Sequence, residues 1–307
     1  LGANESVLFR EYYSVTPKGN FEGRNILFTN SRLEEFASSK SMETQDLAKL
    51  FKAQRKLLWK VRQNRTPPFK DDKILSSWNG LMIFSMVESG AAFDEKKFID
   101  AGIKAAQFIK NNMWRDGHPL RRWREGEALF SAGLDEYAFL IKGILSLFET
   151  GQGTHWLEWA IEMTDILHKQ FKVDGGAFYQ TDGRDPNIIL RKCQFSDGAE
   201  PSGNAIHCEN LLRLYQLTLN NHYLEQAEDI LKATKKFIDN YSPGYCYHML
   251  NLLRYYDRQA VTAVIALSSQ EKHRNELLQL FYHNFMPHRA IIWKKEDDNL
   301  LNQLIPF

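Results

Sequence analysis

The chain has 307 residues, of which 43% are hydrophobic and 25% charged, a composition that can bury one large core or two smaller ones. This balance excludes disordered, collagen-like and low-complexity proteins. With 39 basic and 38 acidic residues the formal net charge is +1, so the chain lacks the basic surface typical of nucleic-acid-binding proteins. No apolar stretch reaches the roughly 20 residues that span a membrane. We therefore expect neither nucleic acid nor a membrane as a partner.

The three cysteines, Cys193, Cys208 and Cys246, contain no C-x-x-C pair and are odd in number. This usage argues against a disulfide framework, a structural zinc site and a dithiol redox centre. It predicts reduced thiols in a cytoplasmic protein, with no metal and no other cofactor. The chain begins with Leu1 rather than Met, and we expect a further segment upstream.

Residues 1–43 carry turn-forming sequences and one short apolar run, and are predicted to be an irregular lead-in. Residues 44–258 are predicted to be helical hairpins, beginning with a helix over 44–62. Two kinds of helix then alternate. Amphipathic helices with one wet face are predicted over 94–113, 154–171 and 222–238. Helices that are apolar nearly all round are predicted over 78–92, 134–148 and 203–219.

This alternation predicts a mainly α protein with two layers of helices. A helix that is apolar all round must be enclosed, whereas an amphipathic helix covers it from outside. The architecture that meets both needs is an α/α toroid built from helical hairpins. Two segments interrupt it: a β-hairpin over 175–192, and a small β-α-β appendage over 259–307 with strands at 260–267 and 290–293 and a helix at 273–285.

Each predicted inner helix begins with a polar, acid-bearing cluster. Inner helices of a toroid run in the same direction, so these clusters should face a common cleft, where unpaired N–H groups favour carboxylates and anionic ligands. Asp, Ser and Asn are also ordinary capping residues, which explains any one of them taken alone. Taken together, the clusters predict catalytic residues Asp72, Asp135 and Glu200 and substrate-binding residues Asp71, Trp78, Asn79, Tyr137, Ser202, Asn204 and His207.

The predicted chemistry is acid/base catalysis on a sugar. One carboxylic acid would protonate a leaving oxygen, a second carboxylate would activate water or remove a proton, and Trp78 would stack on the sugar ring. His207 is a candidate general base or a hydrogen-bonded core histidine. The basic segment 121–124 could hold an anionic group of a substrate or form a solvated loop.

Several segments resemble a known family. The motif K-I-L-x-S-W-N-G-L-M at 73–82 and the motif D-G-A-E-P-S-G-N at 197–204, with L-D-E-Y-A-F at 134–139 between them, resemble the YyaL-like, spermatogenesis-associated proteins. The combination is specific, and the resemblance covers most of the chain in the family's order. Family members tend to have Glu before Asp where this chain has Asp135 and Glu136, which leaves open which of the two acids faces the cleft.

The resemblance implies a thioredoxin-like domain followed by an α/α toroid similar to six-hairpin glycosidases and N-acylglucosamine 2-epimerase. The thioredoxin-like part is not in this sequence, and we expect a C-terminal portion with an incomplete ring. Two functions remain open. One is a carbohydrate-active enzyme, a hydrolase or an epimerase; the other is a non-catalytic domain that binds a small molecule or a protein for an upstream thioredoxin-like domain.

Overall fold

The structure is a computed structural model that describes residues 1–267, 273–295 and 297–305. The chain divides into two compact units, residues 1–71 and residues 72–307. None of the helices in the described ranges is long and apolar enough to cross a membrane. The predicted appendage, 259–307, contains residues 268–272, 296 and 306–307, which lie outside the described residues.

The first unit consists of helices α1 (Val7–Tyr12), α2 (Leu33–Ser39) and α3 (Thr44–Gln63). Its small core contains Phe9, Phe36 and Phe51, and the ring of Tyr12 stacks on Phe51 with centroids 5.0 Å apart. Helix α3 agrees with the prediction, whereas the prediction of an irregular segment over 1–43 is wrong. Helices of six and seven residues are too short to produce a clear helical period in the sequence.

The second unit contains the predicted hairpins. Helices α4 (Ser76–Ala92), α6 (Leu134–Glu149) and α8 (Gly203–Thr218) pack side by side as an inner layer. Helices α5 (Lys96–Asn112), α7 (His155–Gln170) and α9 (Asn221–Tyr241) each pack on the preceding inner helix, and α10 (Cys246–Tyr256) extends the inner layer beside α8. The predicted mainly α, two-layer α/α class is confirmed. In the part of the chain that the structure describes, the helical hairpins form an arc.

The central inner helix explains why the layers are ordered in this way. Every residue of α6 except Asp135 is buried, because α4, α7 and α8 surround it. Helices α4 and α6 approach each other at Gly80 and Gly143. A Cβ atom on Gly80 would lie 2.4 Å from the carbonyl carbon of Phe139, and one on Gly143 would lie 2.6 Å from the carbonyl oxygen of Gly80. The two glycines therefore permit backbone contact between the helices.

A four-stranded sheet lies where the sequence predicted none. Strand β3 (His118–Arg124) is central and pairs antiparallel with each of the other three strands, which are β1 (Ile74–Leu75), β2 (Trp114–Arg115) and β4 (Glu127–Ser131). The predicted hairpin over 175–192 is wrong: that segment has no strand and only an isolated bridge between Lys172 and Phe178. Within this segment Asp182 accepts a hydrogen bond from the backbone N–H of Arg184 in a local Asx turn.

The predicted β-α-β unit is confirmed. Strands β5 (Thr262–Leu267) and β6 (Ala290–Lys295) are parallel and are connected through α11 (Arg274–Tyr282), and α12 (Asn299–Leu304) follows. The unit packs against the C-terminal ends of the inner helices. The indole N–H of Trp293 donates to the carbonyl of Glu149 over 2.7 Å, and the amide of Gln279 donates to the carbonyl of Ala91 over 2.7 Å. It therefore covers the end of the arc opposite the predicted site.

A buried polar network connects three inner helices. Lys142 on α6 donates to both carboxylate oxygens of Glu209 on α8, over 2.9 and 2.7 Å, and the hydroxyl of Tyr247 on α10 donates to Glu209 over 2.6 Å. Arg213 pairs with Glu149 at 3.1 Å. Although burial opposes its charge, the cations Lys142, Arg213 and Arg254 lower the pKa of Glu209 to about 2. The network is thus ionic and fixes the spacing of the inner layer.

Candidate functional site

A cleft of about 450 Å³ opens at the N-terminal end of α6. Its walls come from the β3–β4 hairpin, the start of α6 and the long loop that joins α7 to α8. These elements meet because the loop pairs with the start of α6, where the backbone N–H of Leu134 donates to the carbonyl of Gln180 over 3.1 Å. The lining residues include Arg121, Phe130, Asp135, Glu136, Gln180, Asp182, Asp185, Ile188 and Gln194.

Asp135 is the acid in this cleft with the most unusual surroundings. Burial, and then the nearby charges of Glu136 and Glu200, raise the pKa of Asp135 to about 6, although the backbone N–H of Gly203 partly offsets the rise. Its Oδ1 atom is buried and has no hydrogen-bond partner among the described residues. Asp135 can therefore hold a proton near neutral pH and give it up.

Glu136 has a structural role at the same place. Its side chain accepts a hydrogen bond from the backbone N–H of Gly133 over 2.8 Å, completing a cap on α6, and lies 3.5 Å from the guanidinium of Arg121. Burial raises its pKa, and these contacts with Gly133 and Arg121 oppose the rise. Both Asp135 and Glu136 line the cleft, and Glu136 is the one of the two that caps the helix.

Glu200 and Trp78 form a second group near Asp135, outside the lining of the cleft. The indole N–H of Trp78 donates to Oε1 of Glu200 over 2.5 Å, and the charge of Glu200 acts on the pKa of Asp135. The side chain of Trp78 is 59% exposed, so one of its faces is available to a ligand. The structure thus brings together three of the predicted residues from the starts of three inner helices.

The start of α8 is built around this group. Ser202 caps the helix, because its Oγ accepts a hydrogen bond from the backbone N–H of Ala205 over 3.2 Å. A Cβ atom on Gly203 would lie only 2.2 Å from Oδ1 of Asp135. Gly203 therefore allows the N-terminus of α8 to approach the Asp135 carboxyl group.

Two further predicted residues of the second unit, Asp72 and Asn79, are not among the residues that line the cleft. Asp72 is half-exposed and pairs with Nε of Arg124 at 2.9 Å. Asp71 is the last residue of the first compact unit. The amide of Asn79 donates to the carbonyl of Leu75 over 2.9 Å, next to the start of its own helix.

Three further predicted residues are internal. Tyr137 is buried in the core, and its hydroxyl is 2.9 Å from Nδ1 of His118. Asn204 is fully buried and holds the α7–α8 loop: its Oδ1 accepts from the backbone N–H of Phe178 over 2.9 Å, and its Nδ2 donates to the carbonyl of Gln194 over 3.0 Å. His207 is fully buried against Phe178, with ring centroids 4.6 Å apart. These three side chains are buried, and none of them is among the residues that line the cleft.

The buried histidines predict a pH-dependent stability. Burial lowers the pKa of His168 to about 3, that of His248 to about 4 and that of His207 well below its usual range. Below pH 6.5 the unfolded chain therefore binds more protons than the folded chain at these histidines. Their contribution makes the free energy of unfolding decrease as the pH is lowered. Asp135, with its raised pKa, has the opposite sign. The raised pKa of Glu136 acts in the same direction as that of Asp135. Because the histidines release more protons on folding than these carboxyl groups bind, we expect a net slope of about 1 to 3 kcal/mol per pH unit between pH 6 and 4.5.

Urea denaturation at several pH values between 4.5 and 7 measures this slope. The variant His207→Leu should flatten it by about one proton, or roughly 1.4 kcal/mol per pH unit. A wild-type free energy of unfolding that does not change over this range would contradict the neutral state of the buried histidines.

The sequence did not predict several side chains of the cleft. Arg121 was recognised only as part of a basic segment, and Phe130, Gln180, Asp182 and Gln194 were not selected. The sequence signal that could have revealed Phe130 is the pair Glu125–Gly126, which forms the two-residue turn between β3 and β4. Both residues have positive φ, as such a turn requires. In the described ranges, no three His, Cys, Asp or Glu side chains converge as metal ligands would.

The fold and the cleft define a class: a mainly α domain with two layers of helices and a carboxylate-bearing cleft at the N-terminal end of the inner layer. No family model matches the chain. The whole chain is similar to spermatogenesis-associated protein 20 of Homo sapiens, with 27% identity over 334 residues. The Mus musculus protein of that name is 28% identical over 307 residues that cover 96% of this chain.

These matches take in 42% of the human protein and 39% of the mouse protein, so the chain spans about two fifths of the length of these curated relatives. They confirm the predicted resemblance to spermatogenesis-associated proteins. Among solved structures, the chain is similar to a GH76 alpha-mannanase of Bacteroides thetaiotaomicron, with 12% identity, a TM-score of 0.49 and coverage of 70% of this chain and 58% of that one. It is also similar to cellobiose 2-epimerase of Spirochaeta thermophila, with 13% identity, a TM-score of 0.43 and coverage of 53% and 43%.

Proposed function

We propose that this chain is a carbohydrate-active acid/base enzyme, a glycoside hydrolase or a sugar epimerase, in which Asp135 is the proton donor. The observation that carries the proposal is the position of the Asp135 carboxyl group, which lines a cleft of about 450 Å³ and has a pKa raised to about 6 by burial and by the charges of Glu136 and Glu200. A general acid is most effective when its pKa lies near the working pH.

Glu200 is the second carboxylate of the proposed reaction. It lies close enough to Asp135 for its charge to raise the pKa of that group, and the Trp78 indole N–H fixes one of its oxygens. A carboxylate held in this way can activate a water molecule or remove a proton while Asp135 protonates the leaving oxygen. The two groups have different surroundings, and such a difference lets one carboxyl group remain protonated while the other is ionised.

The test is turnover of cello-, manno- and malto-oligosaccharides by the wild-type chain and by the variants Asp135→Asn and Glu200→Gln. Each variant is expected to lose roughly 10²- to 10⁴-fold in kcat, the usual contribution of a positioned acid or base. Both should remain folded, because each replacement keeps the shape of the side chain. The matched control is Asp72→Asn, which removes a half-exposed carboxylate outside the cleft and should retain kcat within about threefold.

A pH profile tests the role of Asp135. The proton donor must carry its proton, so kcat should decline as pH rises above about 6, the pKa of Asp135. If Asp135→Asn and Glu200→Gln keep full turnover but lose thermal stability, the two carboxylates are structural caps, and the non-catalytic binding function replaces the enzymatic one. Absence of turnover across the panel, with saccharide binding retained, would lead to the same replacement.

A further inference from the structure

The second aromatic side chain of the cleft has an unusual backbone. Phe130 lies on β4 and lines the cleft, yet 62% of its surface is exposed. Its φ is +67°, in the left-handed region that a bulky side chain rarely adopts. Strained residues of this kind persist where the surrounding structure holds them, and they concentrate at ligand-binding sites.

The position of Phe130 on β4 shows how its unusual φ changes the direction of its side chain. Side chains two residues apart on a strand share a face, and Ala128 on the same strand is only 3% exposed. A regular strand would therefore direct Phe130 toward the buried face. Leu120 pairs with Ser131 and Arg122 with Leu129, so the register continues on both sides of Phe130 and no extra residue is inserted. With its positive φ, Phe130 instead directs its aromatic ring to the cleft.

The ring is also supported from one side. The guanidinium of Arg122 lies 5.1 Å from the ring centroid, within the range of a cation–π contact. This contact orders the ring and leaves most of it uncovered. Hydrogen-bonding side chains also line the cleft wall, among them Gln180 and Gln194, together with the carboxyl of Asp135. An apolar aromatic surface beside amides and a carboxyl group matches the two characters of a pyranose: an apolar C–H face and a rim of hydroxyls.

We propose that Phe130 is the saccharide-stacking residue of the Asp135 cleft and that its strained backbone presents the ring for this contact. The inference rests on the proposed function, and it adds the part of the cleft that binds the sugar ring next to the reacting bond. Trp78 provides an aromatic surface beside Glu200, and Phe130 provides one on the β3–β4 hairpin. The ligand is a neutral hexose chain, bound by stacking and hydrogen bonds.

The experiment compares Phe130→Ala and Phe130→Gly with the wild-type chain, using the oligosaccharide of the cello-, manno- and malto-series that the wild type binds most tightly. Isothermal titration calorimetry measures Kd and a thermal melt measures Tm. Both variants should weaken binding roughly ten- to a hundredfold, because both remove the ring. They should differ in Tm: Gly tolerates positive φ and Ala does not, so Phe130→Gly should melt about 2 °C or more above Phe130→Ala.

The matched control is Phe93→Ala, which removes another exposed aromatic ring, one that follows α4 and is outside the cleft lining. It should bind the saccharide as the wild type does. If wild type and Phe130→Ala bind with the same Kd, the stacking role is wrong and the proposed function stands. If the wild type binds no saccharide of the panel, the proposed function is wrong and the stacking role falls with it. Equal Tm values for the Ala and Gly variants would overturn the role of backbone strain.

Discussion

Replacing Glu209 by Gln is expected to lower the free energy of unfolding by about 3 to 5 kcal/mol, the usual cost of removing one partner from a buried ion pair. Glu209 neutralises Lys142, whose side chain is only 5% exposed, and also faces the charges of Arg213 and Arg254. A neutral amide keeps much of the shape but leaves these cations without their shared anion. The loss should be measured by urea denaturation at pH 7.

The pH dependence of this deficit identifies its cause. Burial already lowers the pKa of Lys142, and the attraction of Glu209 opposes that effect. Without Glu209 the folded chain releases the Lys142 proton more readily, whereas the unfolded chain retains it up to about pH 10.4. The unfolded state then binds more protons, so the variant gains stability relative to the wild type as pH rises from 7 to 10. A deficit that is constant over this range would assign the loss to packing instead.

Two further variants complete the test of the network. The double variant Lys142→Met with Glu209→Gln should recover at least half of the lost stability, since it removes the stranded ammonium group. The control is Asp100→Asn on α5, which breaks the pair of Lys96 and Asp100; those side chains are 83% and 41% exposed. This surface pair should contribute about 0.5 kcal/mol or less.

Helices and their layering could be predicted from the sequence because burial leaves a local pattern. A helix enclosed on all sides, such as α6, needs apolar residues all round, and a helix with one wet face needs a period of 3.6. Helix α10 was missed because it has only 11 residues and follows a 3-10 turn over Ser242–Tyr245. The hairpin over 114–131 was missed because its charged residues cluster around the turn, as in Arg121, Arg122, Arg124, Glu125 and Glu127, and do not alternate regularly with apolar ones. A charged segment without that alternation is as typical of a loop.

The candidate site was predictable only where it depends on helix N-termini. Asp135 and Glu200 could be selected because inner helices run in parallel and their first turns attract acids. The partners of these acids come from segments that are distant in sequence. Gln180 reaches the cleft because Asn204 and Leu134 bind the backbone of its loop, and no local pattern reports such long-range pairing. Asp72 was selected by the same helix-terminus argument, but Arg124 on β3 holds it outside the cleft.

Replacing Gly80 by Ala should destabilise the chain by about 3 kcal/mol or more, even though Ala is the better helix former by about 1 kcal/mol. The new Cβ atom would lie 2.4 Å from the carbonyl carbon of Phe139 and 2.5 Å from the backbone nitrogen of Leu140. Both are backbone atoms of α6, so no side-chain rotation relieves the overlap. Helices α4 and α6 would have to separate, which opens the core around Ile83 and Ile144.

Gly102→Ala is the matched control, because Gly102 lies on α5, which packs on the other side of α4. Its Cβ atom would meet the Cγ2 methyl of Val87 at 2.7 Å, and the next atom is 3.6 Å away. This contact involves one side-chain methyl group rather than the backbone, but Val87 is buried and β-branched, so we expect a cost of about 1 to 2 kcal/mol, below that of Gly80→Ala. Similar stabilities for the two variants would contradict the backbone contact at Gly80.

Gly80→Ala should also disturb the cleft, because Gly80 and its contact on α6 lie close in sequence to residues of the candidate site. Trp78 is two residues before Gly80 on α4, and Asp135 is four residues before Phe139 on α6. Any separation of the two helices at this crossing changes the position of Trp78, and of the Glu200 carboxylate bound to it, relative to Asp135. A displacement of about 1 Å can reduce a positioned reaction by roughly a hundredfold. Gly80→Ala molecules that remain folded at low temperature should therefore lose turnover as well, whereas folded Gly102→Ala molecules should keep it.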